Sequence, residues 1–155
     1  IKGGRKLKAV IPGGASTPML TPEHLDVPMA FETLAGVGSM LGTGAVIVMD
    51  ETTCIVNAVL HLAKFFAHES CGKCFPCRLG TQTMVKILEG IEAGKGKDED
   101  LNHLLDVSNT MCGKTFCPSG YAAPNPVVSS IKHFRHEYEY HIKEKRCMPK
   151  GGNHA

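Results

Sequence analysis

The chain has 155 residues, 43% hydrophobic and 21% charged, with a formal net charge of +2. That charge is too small to argue for nucleic acid or an anionic membrane surface, and Lys and Arg form no long basic run. No stretch approaches the roughly 18 apolar residues of a membrane span, and no apolar segment near the N-terminus reads as a secretory signal, so a soluble protein of a reducing compartment is expected.

The chain opens on Ile1-Lys2-Gly3-Gly4 without a methionine, which reads as a fragment or the product of a cut. Residues 7–11 predict a short strand stopped by Pro12-Gly13-Gly14, and prolines 12, 18, 22 and 28 make the next stretch irregular. Residues 30–35 predict a short helix. Residues 45–49 (Ala-Val-Ile-Val-Met) are the best strand, and an unbroken apolar run of this kind implies burial on both faces. Two short strands do not make a stable sheet alone, so residues 1–52 read as an incomplete domain or one that leans on a partner.

From residue 53 the pattern turns helical. Residues 53–67 carry an apolar stripe through Ile55, Val59, Leu62 and Phe66, with Thr52 or Thr53 as N-cap. Residues 80–93 repeat it with Met84, Ile87, Leu88 and Ile91, ending at Gly94 before a charged, solvated linker. Residues 98–111 predict a third helix, residues 112–125 a Gly- and Pro-rich loop, and residues 126–145 a last helix through Val127, Ile131, Phe134, Tyr138 and Ile142. Four helices with short links predict an antiparallel bundle over residues 53–147, and residues 148–155 a mobile tail. The fold class is therefore mainly α with a small β part.

Seven cysteines is an odd number, and the string Cys71-Gly72-Lys73-Cys74-Phe75-Pro76-Cys77 places three within seven residues. This is metal-binding rather than disulfide spacing. A continuous C-x2-C-x2-C suits a [4Fe–4S] cubane, which needs four thiolates; structural zinc more often uses two separated pairs, and zinc stays open as the alternative. For the fourth ligand Cys117, followed by Pro118 in a loop, is preferred, with Cys112 as competitor. Lys73 and Arg78 are either positive charges tuning a cluster or solvated side chains. His68 either donates toward a cluster sulfur or ends its helix.

Other signals carry less. Gly36 to Gly44 looks like a nucleotide loop, but no strand precedes it and a strand rather than a helix follows, so it reads as a turn. His133 and His136 share a helix face and read as surface residues. Cys54 reads as a small core residue, Cys147 as a tail thiol, and Glu137 and Glu139 as solvated.

The string Glu69-Ser70-Cys71-Gly72-Lys73-Cys74, with Pro76-Cys77-Arg78 and Gly80, resembles the NADH-oxidising flavoprotein subunit (the 51 kDa type) of respiratory complex I. Ile11-Pro12-Gly13-Gly14, Ser16-Thr17-Pro18, Gly38-Ser39-Met40-Leu41-Gly42-Thr43-Gly44, Phe116-Cys117-Pro118 and His133-Phe134-Arg135 extend the resemblance in order along the sequence. Ala123-Pro124-Asn125-Pro126 and Glu144-Lys145-Arg146-Cys147 resemble related subunits of soluble NAD-linked hydrogenases and formate dehydrogenases. The resemblance implies the second part of a ubiquitin-like β-grasp (SLBB) domain over 1–52, then a four-helix domain with one [4Fe–4S] cluster on Cys71, Cys74, Cys77 and Cys117. It also implies FMN and NAD on an N-terminal domain outside this chain. The implied function is electron relay from NADH oxidation to further iron–sulfur centres, as part of an NADH dehydrogenase. Its implied partners are the flavin domain and iron–sulfur subunits, with no nucleic acid and no membrane insertion. The implied location is the cytoplasm or the cytoplasmic face of a membrane complex. The rival readings are a zinc-stabilised interaction module and the same relay in a soluble NAD-linked hydrogenase or formate dehydrogenase.

Overall fold

The computed structural model describes residues 1–148. Two antiparallel strands come first: β1 (Leu7–Ile11) pairs with β2 (Ile47–Asp50), Val10 opposite Val48 and Ile11 opposite Ile47. Alternation along β1 sends Ala9 and Ile11 into the core, both fully buried. The expectation that residues 45–49 form a strand buried on both faces is corrected. The strand begins at Ile47, only Met49 is buried, and Val46 and Val48 are 51% and 54% exposed. With two strands there is one covered face and one open face. An apolar groove of about 510 Å³ runs along that open side, over Val10, Leu20, Leu25, Val46 and Val48.

Between the strands lies the short helix α1 (Phe31–Gly36), close to the expected 30–35. The turns at Gly13 and Gly42 press backbone to backbone: a Cβ on Gly42 would lie 2.2 Å from the Gly13 carbonyl oxygen. Glycine is required there by close approach, and the Thr43 amide donates to that carbonyl at 3.0 Å.

The helices follow: α2 (Ile55–Glu69), α3 (Phe75–Glu92), α4 (Asp100–Met111), α5 (Pro118–Ala122) and α6 (Asn125–Glu144). The long ones, α2, α3, α4 and α6, pack on one another around a core of Ile55, Val59, Met84, Leu88, Leu104 and Tyr138. Ala9, Ile11, Met19 and Met49 belong to the same apolar cluster, so the sheet and the helices share one core. The Met19 amide donating to Ser129 Oγ at 2.9 Å and Asn125 Nδ2 donating to the Ser16 carbonyl at 2.8 Å fasten the N-terminal segment to α6.

Three element expectations are corrected. The N-cap of α2 is Cys54, whose Sγ accepts from the Asn57 amide; Thr52 and Thr53 instead bond to Asp50 Oδ1. Helix α3 begins at Phe75 and not at 80, because Pro76 is pre-set for a first helical turn. The loop over 112–125 contains α5, again with proline in its first turn. The tail expected over 148–155 lies, apart from Met148, outside the described residues.

Candidate metal centre

Helix α2 ends at Glu69, Ser70 is extended behind it, and the backbone reverses into α3 through Cys71, Gly72 and Lys73. Gly72 has φ +78°, a conformation other residues rarely adopt. Cys74 is the N-cap of α3 and Cys77 sits in its first turn. The triple thus runs from an exposed loop onto a helix: Cys71 is exposed, Cys74 half-buried, and Cys77 buried. Cys77 is therefore a helical residue.

Side chains brace this reversal. Ser70 Oγ lies 3.4 Å from Cys77 Sγ and accepts from the Gly72 amide. Arg78 Nη1 donates to the Gly72 carbonyl at 3.2 Å, and its guanidinium lies 6.0 Å from the Phe75 ring centroid. Arg78 therefore clamps the loop backbone. Lys73 Nζ sits 6.0 Å from the Phe116 ring centroid. His68 sits in the last turn of α2 with its Nδ1 3.1 Å from Glu69 Oε1 and its side chain 87% exposed, which fits its reading as the end of its helix.

The candidate fourth ligand, Cys117, is exposed and caps α5. The Phe116 backbone N–H donates to Cys74 Sγ at 3.4 Å, which lays the segment before Cys117 against the triple. Thr115 Oγ1 donates to the Cys117 carbonyl at 3.1 Å. Cys112, the competitor, is exposed at the C-terminal end of α4. Around the loop Phe116, Phe75 and Leu79 are 89%, 65% and 43% exposed, an apolar rim open to solvent.

A second constellation was not expected. Among the described residues, one group of three or more Cys, His, Asp or Glu has all its ligand atoms within 4.8 Å of one another: Cys54, His141 and Cys147. Cys54 Sγ lies 3.3 Å from His141 Nε2, and His141 is 1% exposed. Burial pushes the Cys54 thiol up to about 12. Reading Cys54 and Cys147 as unrelated missed this pairing. Reading Glu137 as solvated is also corrected: it is 3% exposed and bonded to the N-terminus of α2, whereas Glu139 does pair with Arg135 near solvent. The signal was present. Phe134, Glu137, Tyr138 and His141 fall at i, i+3, i+4 and i+7, so Glu137 and His141 lie on the apolar stripe.

A family model described as the NADH-ubiquinone oxidoreductase-F iron–sulfur binding region matches residues 57–141. The protein is 52% identical over 147 residues to the F subunit of the NADH-quinone oxidoreductase of Mycobacterium bovis, covering 95% of this chain and 33% of that protein. It is 45% identical over 144 residues to the corresponding F subunit of Rickettsia akari, covering 92% of this chain and 34% of that protein. It thus spans about a third of the length of the curated relatives it matches. A polypeptide in a crystal structure of an NAD+-reducing [NiFe]-hydrogenase in the H2-reduced state superposes with a TM-score of 0.81 at 38% identity, over 94% of this chain and 25% of that one.

Proposed function

Because the chain belongs to the family of the NADH-ubiquinone oxidoreductase-F iron–sulfur binding region, we propose that it holds one [4Fe–4S] cluster on Cys71, Cys74, Cys77 and Cys117 and passes electrons through it. Bound there, such a cluster supplies reversible one-electron transfer. The observation that carries the reading is the Phe116 amide on Cys74 Sγ at 3.4 Å, a contact between residues 42 apart that brings the Cys117 segment to the triple.

The continuous C-x2-C-x2-C spacing of Cys71, Cys74 and Cys77 suits a cubane, which takes one thiolate per iron, over a single tetrahedral zinc, which more often uses two separated pairs.

The protein's own groups suit an anionic occupant. Helix α3 turns its N-terminal N–H groups toward the site, favouring negative charge. The Phe116 amide and Ser70 hydroxyl place polar hydrogens on two sulfurs, a contact that tunes reduction potential. The exposed Phe75, Leu79 and Phe116 suit a face covered by a partner that receives or delivers electrons.

In this reading residues 53–147 are the family's four-helix iron–sulfur domain, and residues 1–52 are part of an SLBB-type β-grasp domain whose open sheet face is covered from outside the chain. FMN and NAD act on a flavin domain beyond it. The parent is an NADH:quinone oxidoreductase, supported by the 52% identity to the F subunit of that enzyme against 38% to the hydrogenase polypeptide. The partners are iron–sulfur subunits in the cytoplasm or on the cytoplasmic face of a membrane complex. Among the described residues no helix is long and apolar enough to cross a membrane.

Anaerobic reconstitution with iron and sulfide tests the assignment. Four irons and four acid-labile sulfides per chain, lost together in Cys74→Ala, are expected. Zinc bound at these thiols with no sulfide would contradict it.

A further inference from the structure

We propose that Cys54, His141 and Cys147 form a second, structural metal site for a divalent cation of the zinc class, independent of the cluster. The three residues come from the N-cap of α2, the last turn of α6 and the backbone beyond it, and their ligand atoms all lie within 4.8 Å. Tetrahedral zinc needs its sulfur and nitrogen ligands roughly 3.5–4 Å apart, so a small closure suffices. Two sulfurs and an imidazole nitrogen are a donor set that zinc favours over magnesium or calcium.

The imidazole is set for the task. His141 Nε2 faces Cys54 Sγ at 3.3 Å, and its other nitrogen, Nδ1, lies 3.6 Å from Glu92 Oε2. Glu92 is itself held by Asn57 Nδ2, which donates to its Oε1 at 3.1 Å. A carboxylate beside the second imidazole nitrogen is the usual outer shell of a zinc site, and shortening of this 3.6 Å approach to a hydrogen bond as metal binds would hold the tautomer with the Nε2 lone pair toward the metal. A packing histidine would need no such arrangement pointed at two thiols.

Binding is balanced. The incoming dication displaces one proton from each thiol, and two thiolates neutralise its charge, leaving no net charge in a largely buried place. A cavity of about 350 Å³ reaches Cys54 and Cys147, giving water access to the fourth position. The fifteen residues of α2 span roughly 22 Å, which separates this site from the cysteine loop at the helix's other end. Its effect is to tie the segment leaving α6, past Lys145 with φ +54°, to the start of α2.

The test is metal analysis and zinc-edge X-ray absorption on the protein dialysed against micromolar zinc after cluster reconstitution. About one zinc per chain is expected, with two sulfurs at about 2.3 Å and one imidazole nitrogen at about 2.0–2.1 Å. Cys147→Ser, half-exposed beyond the last helix, should cut zinc occupancy at least tenfold while iron content and the reduced-state EPR signal stay at wild-type level. Glu92→Gln should weaken zinc affinity by about 10–100-fold. No retained zinc, a sulfur-only shell, or zinc undiminished in Cys147→Ser would each overturn the site. Loss of iron with zinc intact would sink the cluster assignment and leave this site standing.

Discussion

Lys8 on β1 and Glu137 on α6 meet at 2.6 Å, with the Glu137 side chain only 3% exposed. Glu137 Oε2 also accepts from the Ile55 amide at 3.2 Å, and Lys8 Nζ donates to the Thr53 carbonyl at 2.6 Å. One ion pair thus joins the sheet, the first free N–H of α2 and the middle of α6. Removing one partner of a buried pair strands the other charge. Glu137→Ala should destabilise the fold by about 3 kcal/mol in urea unfolding, and Glu137→Gln, which keeps an acceptor for Ile55, by less. A change below about 0.5 kcal/mol for the alanine variant would contradict the role given to the pair.

Helices α3 and α4 approach closely at Gly80, where an added Cβ would lie 2.3 Å from Met111 Sδ, itself fully buried. Gly80→Ala should cost about 1–3 kcal/mol by overpacking. A smaller residue at 111 should relieve part of it, visible as a coupling of about 0.5–3 kcal/mol in a double-mutant cycle. Additive effects would mean that the two residues do not share space.

Gly120 stands behind the segment that carries Cys117. A Cβ there would lie 2.5 Å from Thr115 Cγ2, and Thr115 holds the Cys117 carbonyl. Gly120→Ala should displace the segment and speed iron loss to a chelator severalfold, with the helical circular dichroism unchanged. Iron release at the wild-type rate would show that the segment absorbs the methyl group.

Tyr138 is fully buried, and burial raises its phenol above the usual tyrosine range against the opposing effect of its hydrogen bond with Ser130 Oγ at 2.6 Å. A raised folded-state pKa means that the contribution is whole below about pH 10, the unfolded value, and fades as pH climbs beyond it. Wild-type stability should therefore fall on the alkaline side of about pH 10, and Tyr138→Phe should flatten that limb at a cost of about 1 kcal/mol at neutral pH. Parallel curves for the two proteins in that alkaline range would be the contrary result.

What was readable from sequence followed the range of the interactions. The triple Cys71, Cys74 and Cys77 is local, and so are the apolar stripes that place α2, α4 and α6 within a few residues of their observed ends. The start of α3 and the existence of α5 were also local, written in the first-turn prolines Pro76 and Pro118, but residues 112–125 read as a loop and the third cysteine's helix as starting at 80. The pairing of Cys54 with His141 and Cys147 is not local: it depends on α2 and α6 packing so that the N-cap of one meets the last turn of the other. Exposed Val46 and Val48 broke the rule that an apolar run is buried, because the sheet has two strands and one face left open.

The remote thiolate of the proposed cluster comes from Cys117, beside the amide that reaches Cys74. Reduced-state EPR with iron analysis on Cys117→Ser and Cys112→Ser, reconstituted side by side, tests it most directly. Four irons and an unchanged signal are expected for Cys112→Ser, and a lost or three-iron centre for Cys117→Ser. An intact four-iron signal in Cys117→Ser, with loss in Cys112→Ser, would contradict it.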